Sequence, residues 1–240
     1  MSFIGKLLKH GKNGTLFKTL RKRLFNAANH KNDAPIGDTY YGSRAEDYLA
    51  KRHQQEYWHL EQKQIVKMLS QLPKGSSVLD VPFGTGRFVK DYLQNEFNVT
   101  GLDASEDMLK VAKKELGELF NKINVSVGDA TQLPYPDQSF DYVVCIRFLT
   151  HIVNYEQARA VLREFRRITR NQLILQLRMR LDKCPPTEFP KPDQQIGDRL
   201  NQNQLKDLLG EFGFEVKHIE VLEERDTYCR AIFLCGLAST

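Results

Sequence analysis

Two periods of apolar and polar residues alternate along the central part of this chain. Apolar runs of strand length recur at 76–81 (SSVLDV), 98–103 (NVTGLD), 123–129 (INVSVGD), 140–147 (FDYVVCIR) and 172–179 (QLILQLRM). Between them, segments near 86–95, 105–120 and 155–169 space their apolar residues as helices do. A strand that returns parallel to its neighbour needs a crossover, so this alternation predicts a mostly parallel sheet with helices on both faces. A further helix at 201–212, closed by Gly213, leads to two long strand-like runs, 214–222 and 228–237, separated by EERDT. Such a connection is too short for a crossover, and the two runs must pair antiparallel. The expected fold class is α/β, with a seven-stranded sheet ending in an antiparallel hairpin.

The N-terminal pattern is different. Residues 3–25 place Phe3, Ile4, Leu7 and Leu8 on one helical face and Leu16, Phe17, Leu20 and Leu24 on another, out of phase across Gly11 and Gly14. This predicts two short amphipathic helices. Residues 29–38 (NHKNDAPIGD) read as a turn-rich linker, and from Arg44 to about Leu72 the spacing of Tyr48, Leu49, Trp58, Ile65 and Leu69 fits one or two helices. Three regions follow: an arm at 1–31, a linker and helical cap at 32–72, and a main domain at 73–240 with a proline-rich, lid-like insertion at about 180–200.

Charge sharpens this division. The 240-residue chain carries a net charge of +5, yet residues 1–31 hold eight lysines and arginines and no acid, so the remainder is slightly acidic. An arm of this kind can steer an acidic protein, RNA or an anionic membrane surface. With 41% hydrophobic residues and no apolar run approaching a membrane span, a cytoplasmic protein is expected, peripheral at a membrane if the arm binds one. Cys145, Cys184, Cys229 and Cys235 form no C-x-x-C pair, and the histidines His10, His30, His53, His59, His151 and His218 are dispersed. The thiols read as reduced and structural, and no metal site is expected.

Candidate chemistry gathers where the first strand ends. Asp80 closes the apolar run, Pro82 and Phe83 follow, and Gly84 and Gly86 permit a ligand to approach the backbone. The second strand ends in Asp103 and Ala104, where an acid can accept hydrogen bonds from both hydroxyls of a ribose. Asp103 would serve a nicotinamide dinucleotide equally well, but that fingerprint asks for Gly or Ala three residues after the second glycine, and Val89 stands there.

Taken together, DVPFGTG at 80–86, VTGLDAS at 99–105, GDA at 128–130 and the terminal hairpin resemble the class I S-adenosylmethionine-dependent methyltransferases, in particular their small single-domain bacterial members. The resemblance covers roughly residues 40–237 and implies a Rossmann-like sheet with S-adenosyl-L-methionine as cofactor. It further implies that Asp80 holds the cofactor's amino group, that the loop wraps its methionine part, and that Asp103 takes the ribose. Asp129 and Ala130 would lie near the adenine. Tyr41, Arg44 and Tyr48 resemble the N-terminal segment that folds over the cofactor, and Arg44 or Arg52 would suit its carboxylate. Two departures stand out. Pro82 replaces the family's usual glycine and cannot donate a hydrogen bond. ITRNQL at 168–173 replaces a common Pro-Gly-Gly turn before the fifth strand.

A methyl group on a sulfonium is already activated, so positioning is the main task and a base is needed only for a protonated acceptor. Arg147 and His151, just after the fourth strand, are candidates to orient or deprotonate an acceptor, and Arg147 also to meet the cofactor; His151 fits a packed or solvated residue as well. CIRF at 145–148 differs from the NPPY-like motif of DNA amino-methyltransferases. The expected acceptor is a nitrogen or oxygen of a small metabolite or protein side chain, such as lysine of an acidic protein. An interaction protein with a regulatory or vestigial cofactor site is the alternative.

Overall fold

The computed structural model describes residues 42–48, 52, 54–152, 155–182 and 200–238. The arm at 1–31, Tyr41 and the insertion between 183 and 199 lie outside the described residues, as does the side chain of Arg44.

Seven strands form one sheet in the order β3-β2-β1-β4-β5-β7-β6. They are β1 (Ser77–Asp80), β2 (Asn98–Asp103), β3 (Asn124–Val127), β4 (Phe140–Ile146), β5 (Thr169–Arg180), β6 (Phe214–Glu224) and β7 (Tyr228–Leu237). The first five are parallel; β7 inserts antiparallel between β5 and β6. The sheet therefore matches the expected Rossmann-like class, and its parallel order reverses between β1 and β4. An open sheet of this kind leaves a crevice at that reversal, outside the carboxyl ends of the strands.

The helices are α1 (Ser43–Glu46), α2 (Glu56–Leu69), α3 (Val89–Gln94), α4 (Glu106–Leu116), α5 (Tyr155–Ile168) and α6 (Gln202–Glu211). On one face, Ala158, Val161, Leu162, Phe165 and Ile168 of α5 join Leu205, Leu208 and Leu209 of α6 over Leu79, Val143, Leu173, Leu175 and Phe233. On the other, Ile65 and Leu69 of α2 pack with Tyr92 of α3 on Val78, Val144, Ile174 and Ile232. Both faces of the central strands are covered, which is why they read as continuous apolar runs.

Several boundaries shift from those expected. The helix expected at 86–95 starts only at Val89, because residues 82–88 are taken by the loop after β1. The helix expected at 105–120 stops at Leu116 and passes into a 3-10 turn at Gly117–Lys122. Its predicted cap is present: the Ser105 hydroxyl accepts from the Met108 amide at 3.3 Å. No loop separates α5 from β5. Ile168 ends the helix, Thr169 opens the strand, and the Thr169 hydroxyl donates to the Phe165 carbonyl at 2.6 Å.

At the end of β5 the Arg180 amide donates to the Leu200 carbonyl at 2.9 Å. Cys145, Cys229 and Cys235 are free and buried. Burial pushes the Cys145 thiol up and the Cys235 thiol up to about 12, as suits structural cysteines. Among the described residues no helix is long and apolar enough to cross a membrane.

Candidate active site

A cavity of about 230 Å³ opens at the sheet's reversal point. From β1 and its loop come Asp80, Pro82, Phe83, Gly84, Thr85, Arg87 and Phe88; from the end of β2 come Asp103 and Ala104. From β4 and beyond come Ile146, Arg147, Phe148 and His151, while Tyr48, Arg52 and Trp58 close the N-terminal side and Met108 belongs to α4.

The parallel register pairs Asp80 with Gly101, so Asp103 stands farther along β2 and the loop after β1 folds across to meet it. Each oxygen of Asp103 is engaged: Oδ2 accepts from the Gly84 amide at 2.7 Å and Oδ1 from the Ser105 amide at 2.8 Å. An ionised carboxylate has about four acceptor positions, and two remain for a diol. Gly84 takes φ +58°, and a Cβ there would come within 3.7 Å of the Met108 methyl beside the cavity. Burial raises the proton affinity of Asp103, against the pull of the Ser105 and Gly84 amides. Asp80 is raised well above its ordinary range, chiefly by burial and further by the charge of Asp103, while the Tyr92 hydroxyl and the Arg87 charge oppose the rise. Two buried carboxyls facing one cavity suit a ligand that brings a cation to Asp80 and a diol to Asp103.

Pro82 does not break the loop. Its neighbours keep their bonds, with the Val81 amide donating to Val144 and the Phe83 amide to Leu102, both at 2.9 Å. The Val81–Pro82 peptide is cis. The bulk of Phe83 is taken up by β2: a Cβ on Gly101 would meet the Phe83 ring at 2.3 Å. Gly86, expected at the cofactor, instead packs beneath the loop, where a Cβ would lie 2.5 Å from Leu116 and 2.9 Å from Phe83.

Asp129 and Ala130 do not line the cavity. The Asp129 carboxylate accepts from the amide and hydroxyl of Thr131, both at 2.8 Å, and Ala130 is buried in the core. His151, in the 3-10 turn Leu149–His151, is exposed at the cavity edge.

A second charged group was not legible from sequence. Glu61 of α2 is fully buried and paired with two guanidiniums, Arg87 at 2.5 Å and Arg147 at 3.0 Å. Arg87 also donates from Nε to Gln62 at 2.5 Å and from Nη2 to the Trp58 carbonyl, with its guanidinium 3.4 Å from the Trp58 ring centroid. Burial lowers the Arg87 pKa, opposed first by Glu61. Helical spacing alone makes Trp58 a core residue. It is 5% exposed, yet it forms part of the cavity wall.

Residues 78–172 match the family model described as a methyltransferase domain. The demethylmenaquinone methyltransferase of Listeria welshimeri is 37% identical over 114 residues, 46% of this chain and 47% of that protein. The enzyme of the same name from Bacillus licheniformis is 32% identical over 115 residues, 47% and 48% of the two chains. This chain thus spans about half the length of the curated relatives it matches. Magnesium protoporphyrin IX methyltransferase from Synechocystis PCC 6803, solved with bound S-adenosylmethionine, superposes with a TM-score of 0.57 at 20% identity, over 94% of this chain and 93% of that one. The [4+2]-cyclase SpnF superposes with a TM-score of 0.63 at 17% identity, over 94% and 95%. A cyclase on this architecture shows that the fold alone does not specify the reaction. The family match and the paired acids beside the glycine loop agree: residues 78–172 match a methyltransferase-domain model and lie on a Rossmann-like sheet similar to that of the class I S-adenosylmethionine-dependent methyltransferases.

Proposed function

We propose that the protein transfers the methyl group of S-adenosylmethionine to a small, largely apolar ring compound of the quinol type. The observation that carries the cofactor half is the joint placement of Asp80 and Asp103 in one cavity, with the Gly84 amide bonded to Asp103. The acceptor half is supported by relatives named for demethylmenaquinone and by the aromatic wall of Trp58, Phe83, Phe88 and Phe148. This narrows the acceptors expected from sequence to a small molecule, and adds ring carbon to the nitrogen and oxygen considered there.

S-adenosylmethionine, when bound, supplies a methyl group already activated on a sulfonium. Asp103 orients the ribose through its two open acceptor positions, and Asp80 draws the ammonium end to the β1 loop. The aromatic wall excludes water and restrains a flat acceptor, and such restraint contributes up to about 7–11 kcal/mol to a two-reactant step. His151 at the cavity edge is placed to take a proton from an acceptor hydroxyl.

The test is calorimetric titration with S-adenosylmethionine, followed by transfer of radiolabelled methyl groups into a short-chain demethylmenaquinol. Asp103→Ala is expected to weaken cofactor binding about 100-fold, the scale of two hydrogen bonds to a charged group. Glu115→Ala, on the exposed side of α4, should leave it unchanged. Absence of wild-type binding at high micromolar cofactor would reject the enzyme reading, and cofactor binding without transfer into the quinol would reject the acceptor.

A further inference from the structure

Arg147 directly follows β4 in a left-handed backbone conformation, φ 59°, rare for a side chain of this size. Its amide holds that turn by donating to both the carbonyl and the side-chain oxygen of Gln176, each at 3.1 Å. Its Nε is committed to Glu61, at 3.0 and 3.1 Å from the two carboxylate oxygens. The rings of Tyr57 and Trp58 each lie 4.7 Å from the guanidinium carbon. The opposite edge is left over. Nη1 and Nη2 are both buried without a hydrogen-bond partner, in a side chain that is 11% exposed and belongs to the cavity wall.

An unmet buried donor of a charged group is costly, and in the wall of a cavity a ligand can complete it. Glu61 does not neutralise Arg147, because it is shared with Arg87. Arginine side chains also continue away from the cavity, with Arg230 paired to Glu223. Tyr57 lies 4.3 Å from Arg230, Arg230 lies 4.9 Å from Tyr228, and Tyr228 lies 5.3 Å from Arg178. The resulting ladder of arginines and aromatic rings runs over the face of β5 and β7, away from the cofactor loop. Asp80, which the proposed function gives to the cofactor's ammonium, lines the cavity together with Arg87.

We infer that the Nη1–Nη2 edge of Arg147 receives an anionic oxygen of the methyl acceptor, so that the enzyme selects flat acceptors bearing an ionised hydroxyl or carboxyl group. This rests on the methyltransferase reading above. A planar guanidinium edge matches a carboxylate in bidentate fashion and also grips a single phenolate oxygen, whereas a neutral acceptor leaves the buried donors unmet.

The experiment uses the full chain loaded with S-adenosylhomocysteine, titrated with 1-hydroxy-2-naphthoate and with its neutral methyl ester. The wild type is expected to bind the carboxylate at least tenfold more tightly than the ester. In Arg147→Gln that margin should fall below threefold while affinity for S-adenosylhomocysteine stays within twofold. Arg147→Lys, which retains a cation against Glu61, covers a folding failure of the neutral variant and should lose about threefold of the margin. Equal wild-type affinity for the two probes, or an unchanged margin in either folded variant, overturns the inference. A tenfold loss of S-adenosylhomocysteine affinity in Arg147→Gln also overturns it, by assigning the guanidinium to the cofactor's carboxylate. A wild-type protein that binds no S-adenosylhomocysteine rejects the methyltransferase reading itself.

Discussion

Asp80 shows how a single side chain trades stability for binding. Burial holds its proton affinity well above that of the same residue in the unfolded chain. The folded state therefore binds more protons across that interval, and the stability Asp80 contributes at low pH is lost as pH rises from the ordinary carboxyl range to the raised value. Asp80→Asn, which carries no charge to bury, is expected to melt higher than the wild type at pH 7 while binding S-adenosylmethionine at least tenfold more weakly. The cofactor's ammonium favours the ionised form, so affinity should decline on acidification through the raised range and binding should release protons. Calorimetry in buffers of differing ionisation enthalpy reads this; pH-independent affinity with no proton release would remove Asp80 from the site. Asp80 was legible in the sequence as an acid ending a strand, but its burial and the nearby Tyr92 hydroxyl depend on α3 packing over β1.

At the scale of elements, the loop from β1 to α3 divides its two glycines between different tasks. Gly84 faces the cavity and gives its amide to Asp103; Gly86 has φ +71° and is packed against Leu116 and Phe83. Gly86→Ala must both hold an unfavourable backbone conformation and displace a leucine methyl, and is expected to cost about 1–3 kcal/mol of stability in a denaturant titration. Gly84→Ala should mainly weaken cofactor binding. Equal stabilities for the two variants would contradict this division. Sequence spacing makes the two glycines equivalent, because a Gly-x-Gly pattern carries no information about which glycine meets α4. For the same reason the helix expected at 86–95 is shorter in the structure: the loop needs residues up to Phe88 to reach β2 and return.

For the whole molecule, the sheet places cavity-facing acids at the ends of β1 and β2 and the arginine ladder over β5 and β7, on either side of the reversal point. Residues 1–31 lie outside the described residues. Deleting them is expected to leave the S-adenosylmethionine affinity unchanged, measured by the same calorimetry. We propose that their effect falls instead on association with anionic vesicles, RNA or an acidic protein. Loss of cofactor binding in the truncated chain would assign the arm to the active site.

The alternating pattern and local motifs were enough to determine the order of strands and helices, the antiparallel ending, and the acids at Asp80 and Asp103, because each depends on neighbours within one element or turn. They missed what depends on distant segments meeting. Asp129 reads as an acid near the adenine; in the structure its Oδ1 accepts from Thr131 and it lies outside the cavity lining. Nothing in the local pattern singles out Glu61, yet tertiary structure buries it between Arg87 and Arg147, from two loops far apart in the chain. Periodicity reports which face of an element is apolar; only packing decides which charged side chains share a buried volume, and there each must find its partner or await a ligand.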